Sequence, residues 1–323
     1  MKLCASRLLT AFVIGVSWFG SAAAQEFPSR PLKLVIGFGA GGLGDMAGRS
    51  IAQQLSTTLG KPVIVENMPG AGGSMAAASA ARSAPDGHTM LWVSGQNAIA
   101  PSMFKSLPYN WSTDLSAVAP VGKFDYIIVV GKDSPYKTLR EAIDGSKKNP
   151  DKFNIGVISA GSAQHLNALW FRSLTGMAVP TVHFRTTGEL VGALLAGNVQ
   201  LVFETLPGVI GPVQSGTLRA LAVSSDQRLA SLPDVPTAVE AGVPEYKMTS
   251  WNGIVVPAKT PRDIVMRLNK DLNQAVATED VKKRFAELNL DPLTGTPEDL
   301  QKIFETDLNR WRKVIADANI QPQ

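Results

Sequence analysis

Leu32-Lys33-Leu34-Val35-Ile36-Gly37-Phe38-Gly39-Ala40-Gly41-Gly42-Leu43-Gly44-Asp45 decides how the rest of the chain is read. The first five residues form an apolar, β-branched run that predicts a strand. The glycines that follow break it. From about Asp45, Ala47, Ile51, Leu55 and Leu59 recur at four-residue spacing, which gives a helix one buried face. Strand, glycine turn and helix together open a βαβ unit.

The same alternation continues outward. Gly60-Lys61-Pro62 stops the helix and Val63-Ile64-Val65 is the next strand. Pro69-Gly70-Ala71-Gly72-Gly73 opens an Ala-rich helix reaching about Arg82, and a strand covers 89–93. Further strands are expected at 127–130, 153–158, 181–184, 199–203 and 218–223, with helices between them, among them 139–148 and one from Gly161-Ser162 to about Leu174. Repeated βαβ units imply parallel sheets with helices on both faces. The stretch 246–256 reads as one extended crossing segment, after which helices dominate. An α/β chain ending in helices suits two lobes, with crossings near 121–125 and 246–251. Lobe 1 is then 25–122 with 248–323, and lobe 2 is 123–247.

Composition narrows the function. The chain has 323 residues, 45% hydrophobic and 18% charged, which is enough for two cores. Lys2 and Arg7 are the only charges in the first 24 residues, so the remainder carries 29 basic and 27 acidic side chains. A near-neutral body without a basic run argues against nucleic acid as a partner. Lys2 and Arg7, the apolar stretch 8–19 and the small residues Ala22 and Ala24 read as a secretory signal, 1–24, cleaved before Gln25. Twelve residues at about 1.5 Å each cannot cross about 30 Å of hydrocarbon. Cys4 lies inside that segment and lacks a lipoprotein box, so the mature protein is expected to have no cysteine, no disulfide and no thiol nucleophile. The leader has no Arg-Arg pair, which argues against folded export with a bound cofactor.

Three glycine-rich helix starts carry the chemistry. Gly37-x-Gly39-x-x-Gly42 fits a dinucleotide fingerprint, with Glu66 ending the next strand. Against that reading, the glycines run on to Gly44, the protein is exported, and no proton- or hydride-transfer pair stands nearby. What survives is physical. Bare N–H groups and the positive end of a helix dipole favour an anion, and a carboxylate serves as well as a phosphate. The second start, at Pro69–Ser74, is explained by close packing of Ala76, Ala77, Ala78, Ala80 and Ala81. In the third, Ser159-Ala160-Gly161-Ser162-Ala163-Gln164-His165, Ser162 and His165 suit a cap and its first turn better than a nucleophile and base. His88, His165 and His183 have no metal-ligand spacing, and no zinc site or other cofactor is expected.

Taken together, these stretches resemble the Bug-type receptors, the extracytoplasmic solute-binding component of tripartite tricarboxylate transporters. The resemblance rests on Phe27-Pro28-Ser29-Arg30-Pro31, Gly41-Gly42-Leu43-Gly44-Asp45, Val65-Glu66-Asn67-Met68-Pro69-Gly70-Ala71-Gly72-Gly73 and Ala84-Pro85-Asp86-Gly87-His88-Thr89. Leu107-Pro108-Tyr109, Gly161–Leu166, Gly216–Val223, Leu232-Pro233-Asp234-Val235-Pro236-Thr237 and Trp251-Asn252-Gly253 extend it through the mature chain. It implies a two-lobe, hinge-closing α/β fold of the type II-like, Venus-flytrap kind, with a parallel-rich sheet flanked by helices in each lobe. It also implies a periplasmic monomer that is not an enzyme, handing a small carboxylate to membrane subunits. The ligand is expected between Phe38, Gly41, Gly42, Leu43, Gly44 and Asp45 on one side and Ser159, Gly161, Ser162 and His165 on the other. Ser94, Gln96 and Asn97, read as a turn, with Trp251 and Asn252, are expected to complete the wall.

Departures from the family pattern bear on the ligand. Phe38-Gly39-Ala40 stands where prolines are usual, Glu204 where Asp is common, and Phe184-Arg185-Thr186-Thr187-Gly188-Glu189 replaces a Tyr-Lys-Gly-x-x-Pro stretch. Arg185, in the lysine position, offers a planar fork suited to a carboxylate. With Phe38, Phe184 and Trp251 as flat surface, the expectation is a dicarboxylate, a rigid aromatic one ahead of a flexible aliphatic one. The opposing readings are an exported hydrolase using Ser162 and His165, a glycine-loop redox enzyme, and an Arg185 that stays in solvent.

Overall fold

A computed structural model describes residues 27–158, 162–317 and 320. The expected signal segment with Cys4 lies outside these residues, as do Ser159, Ala160 and Gly161.

The first lobe begins with β1 (Leu32–Ile36), α1 (Leu43–Leu59), β2 (Val63–Asn67), α2 (Ser74–Ala81), β3 (Thr89–Ser94), α3 (Gly95–Met103) and the single turn α4 (Trp111–Asp114). β4 (Leu115–Gly131) leads into the second lobe: α5 (Leu139–Lys148), β5 (Ile155–Ile158), α6 (Ala163–Thr175), β6 (Thr181–Phe184), α7 (Thr187–Leu195), β7 (Leu201–Thr205), α8 (Leu206–Gln214) and β8 (Leu218–Val223). The chain returns on β9 (Thr249–Pro257) to α9 (Arg262–Ala277), α10 (Glu279–Glu287), β10 (Asp291–Pro292) and α11 (Pro297–Asp317).

α1 starts at Leu43 rather than near Asp45, because N-cap Gly42 is extended and nothing after it resists the helical turn. Its expected stripe, Ala47, Ile51, Leu55 and Leu59, is buried. β1 lies parallel to β2 and β3, and β5 lies parallel to β6 and β7. These are the parallel sheets that the βαβ pattern predicts. Between them the sheet is antiparallel, in the order β2-β1-β3-β9-β4-β7-β5-β6. The chain crosses outward on β4 and back on β9, so the two crossing strands oppose each other and their neighbours.

β4 is a single strand of 17 residues, of which the sequence reading marked 127–130 as a strand and 121–125 as a crossing. Val118, Ala119 and Val121 are all fully buried. A strand buried on both faces shows no polar alternation to announce itself. Its ladder with β9 is irregular between Pro120 and Gly122, where a residue without an N–H cannot complete the pairing. Beyond the crossing, successive side chains feed opposite layers. Ile128 and Val130 pack with Leu139 and Phe171, whereas Ile127 and Val129 pack with Leu190 and Val209. A third, larger core gathers Leu34, Ile51, Trp92, Leu272 and Phe304 in the first lobe.

Candidate ligand cleft

Because β1, β2 and β3 run parallel, the loops after Ile36, Asn67 and Ser94 leave from one edge of the sheet. Ligands of open α/β sheets bind at such edges. The first two loops touch through glycine: a Cβ on Gly37 would stand 2.7 Å from the Cα of Gly73. The third reaches the second, since a Cβ on Gly72 would lie 3.2 Å from Nε2 of Gln96.

The buried Asp45 carboxylate accepts from the Gly41 N–H at 2.9 Å, from Asn67 Nδ2 at 2.9 Å and from Arg49 Nε at 2.9 Å. The hydrogen bond from Arg49 leads in holding its pKa down at about 2, with Gly41 and Asn67 adding. This corrects two expectations. Asp45 is a brace inside the loop, and Gly41, at φ +82°, spends its N–H on that brace. Asn67, which also donates to the Phe38 carbonyl at 3.1 Å, was missed as a site residue. The only signal for it was its place in the Val65–Gly73 signature.

The donors left to a ligand stand at the start of α1. Its first backbone bond runs from Met46 N–H to Gly42 O, so the N–H groups of Leu43, Gly44 and Asp45 precede the ladder. Gly42 is exposed and Leu43 and Gly44 are half-buried. Half-buried Phe38 packs against Gly44 from outside. From inside comes Trp92, whose Nε1 has no hydrogen-bond partner among the described residues and would lie 3.2 Å from a Cβ on Gly44.

Ser94, Gln96 and Asn97 form no turn. Ser94 caps α3, accepting from the Gln96 N–H at 3.3 Å while Asn97 Oδ1 accepts from the Ser94 N–H at 3.0 Å. This reciprocal box uses the polar atoms expected to line the wall. Gln96 differs: its Oε1 accepts from the N–H of Ala163 at 3.2 Å, across to the second lobe.

On that side, the C-terminal ends of β5, β6 and β7 deliver the loop before Ser162, then Arg185, then Glu204. Ser162 caps α6, accepting from the His165 N–H at 3.1 Å and donating to the Ile158 carbonyl. Both bonds tie Ser162 to the backbone of its own helix entry. The His165 ring turns edge-on to His183 at 4.6 Å. Burial pushes its pKa down to about 4, with His183 and Arg172 adding, so the ring is neutral at pH 7.

Glu204 is buried and accepts from Gln164 Nε2 at 2.9 Å, Thr205 N–H at 2.7 Å and Thr187 Oγ1 at 3.3 Å. Burial pushes its pKa up. It ties α6, α7 and β7 together through Gln164 and Thr187, neither of which was singled out from sequence. Arg185 is exposed, and its guanidinium makes no hydrogen bond or ion pair with a described residue.

Trp251 corrects another expectation. Its Nε1 donates to Asp307 at 2.7 Å and its ring stands edge-on to Phe304, so it belongs to the α11 side of β9. Asn252, next along the strand, points to the opposite face. It is buried opposite Ser94, with Oδ1 unpartnered among the described residues.

Comparison with known proteins gives a consistent result. The family model for the tripartite tricarboxylate transporter family receptor matches residues 47–320. The structure of periplasmic binding protein BugD is 30% identical with a TM-score of 0.80, covering 92% of this chain and 100% of its own. MatC from Rhodopseudomonas palustris with bound malate is 30% identical with a TM-score of 0.77, covering 90% of this chain and 100% of its own. Another R. palustris protein, with adipate, is 29% identical with a TM-score of 0.82, covering 92% of this chain and 100% of its own.

Proposed function

Because this chain belongs to the tripartite tricarboxylate transporter receptor family, we propose that it captures a small dicarboxylate between its lobes and passes it to membrane subunits. One carboxylate is received by the N–H groups of Leu43 and Gly44, the other by the start of α6, with Arg185 as a mobile clamp. The protein acts as a periplasmic monomer without catalysis, after removal of residues 1–24. Lobe 1 comprises 25–122 and 248–323, and lobe 2 comprises 123–247.

One observation carries this reading. The Ala163 N–H, at the head of α6, is taken by an amide oxygen from the facing lobe. A carboxylate oxygen meets the same donor with a full charge and gains the helix dipole as well. The relatives solved with malate and adipate hold dicarboxylates. With Trp251 turned toward Asp307, the aromatic surface reduces to Phe38 and Phe184, so the preference for a rigid ring weakens.

Calorimetry with adipate, malate and a benzene dicarboxylate, each beside its monocarboxylate counterpart, tests the class. The dicarboxylate of a pair should bind at least tenfold tighter, a difference of about 1.4 kcal/mol, and Arg185→Ala should narrow that gap. Equal affinity within every pair, unchanged by the substitution, contradicts the two-ended site.

A further inference from the structure

A second pocket, of about 500 Å³, lies between α11 and the crossing strands. That volume falls in the range of small-molecule sites. Its wall includes Lys123 on β4, Lys247 just before β9, and Lys302 and Arg310 on α11, facing the acids Asp226 and Asp307. The two acids are already matched: Lys247 pairs with Asp226 at 3.0 Å and Arg310 with Asp307 at 3.2 Å. Asp307 is further engaged by Trp251 Nε1 at 2.7 Å. Lys123 and Lys302 form no direct ion pair with a described residue, and although Asp125 and Asp299 stand close enough to interact with them electrostatically, both ammonium groups are open to an incoming anion. Leu293, Ile303 and Trp251 add apolar side chains to the lining.

We propose that this pocket is a second anion site, taking a small dicarboxylate whose ends pair with Lys123 and Lys302 and whose hydrocarbon middle lies against Ile303 and Trp251. Two ammonium groups together with apolar lining match a dianion with an aliphatic spacer better than a compact ion such as phosphate. Both lysines are solvent-accessible and strongly hydrated. Binding is therefore weak, sensitive to salt, and independent of the cleft loops.

Titration of the intact mature protein with adipate at low ionic strength, followed through the Trp251 indole N–H resonance and by calorimetry, tests this. The expected result is a phase near millimolar, about −4 kcal/mol, that moves the Trp251 resonance. Lys123→Glu with Lys302→Glu should weaken that phase at least tenfold, while Gly42→Val, at the cleft, should leave it intact. The single exposed change Lys302→Gln, expected to weaken it severalfold, replaces the double variant if that one fails to melt cooperatively. A Trp251 resonance that stays fixed throughout, or a phase that survives the lysine substitutions, overturns the second site. If Gly42→Val removes every phase at once, the anion binds only in the cleft and the second site is likewise overturned.

Discussion

The side-chain oxygen of Gln96 accepts a hydrogen bond from the backbone N–H of Ala163 at 3.2 Å, joining the first turn of α3 to the first turn of α6. The bond crosses between lobes and holds together the two edges from which the binding loops emerge. Gln96→Ala should therefore favour the open arrangement. Because the ligand carboxylate takes the same Ala163 N–H, losing a bond of about 0.5–1.5 kcal/mol frees that donor and should lower the dissociation constant about two- to tenfold. Small-angle scattering of the ligand-free variant should show a larger radius of gyration, and calorimetry should show the tighter binding. An unchanged radius would mean that the bond does not govern closure.

Gly42→Val separates binding from folding. Gly42 sits at φ −77°, ψ 171°, which valine adopts, and a Cβ there would meet only the Gly39 carbonyl, at 3.6 Å. Stability should change by less than about 1 kcal/mol. The branched side chain would nonetheless stand before the Leu43 and Gly44 donors, and carboxylate affinity should fall by about a hundredfold or more, roughly 2.7 kcal/mol. A cooperative melt alongside a calorimetric titration reads both effects.

Asp45→Asn tests the brace that shapes the same loop. The carboxylate has its pKa held down at about 2, chiefly by Arg49. A depressed acid contributes stability that is complete above its unfolded pKa near 3.8 and is lost as pH falls toward 2. The substitution should cost about 1–3 kcal/mol at pH 7 and remove that acid-side slope. Urea titrations at several pH values between these limits measure it.

His165 should produce a slope of the same sign in a different window. Its folded pKa, about 4, lies below the ordinary 6.5 because burial disfavours the imidazolium beside His183 and Arg172. Between those values the unfolded chain binds more protons, so stability rises with pH. Glu204, pushed up by burial, acts in the opposite direction nearby, and a difference measurement isolates the histidine. The parent minus His165→Asn should show stability increasing from pH 4 to pH 6.5 and flat above. An imidazole resonance titrating near 6.5 in the folded protein would contradict it.

Local features of this chain were written in neighbouring residues. The Ala47, Ile51, Leu55, Leu59 stripe follows from the helical period, the turn at Gly41 from a positive φ, and the Ser162 cap from its distance to His165. Each depends on a few adjacent torsions and on hydrogen bonds closed within one turn. The regions of the cleft could be read for the same reason, since strand ends and helix starts punctuate the sequence. The α3 capping box was within reach as well, since Ser94 and Asn97 stand three residues apart.

Other features depended on which distant segments meet. β4 became one long strand because β9, from the far end of the chain, pairs along Leu115–Asp125, and burial on both faces erased its alternation. Trp251 left the cleft because Asp307, 56 residues later, offers its carboxylate on the α11 side. Asp45 turned inward because Asn67 and Gly41 converge on it from two loops. Composition and periodicity thus determined the two α/β lobes and the strand ends and helix starts that border the proposed cleft. Which side chains are engaged inside the protein was settled only by tertiary packing, because a buried polar group takes whichever partner the fold brings within 3 Å or so.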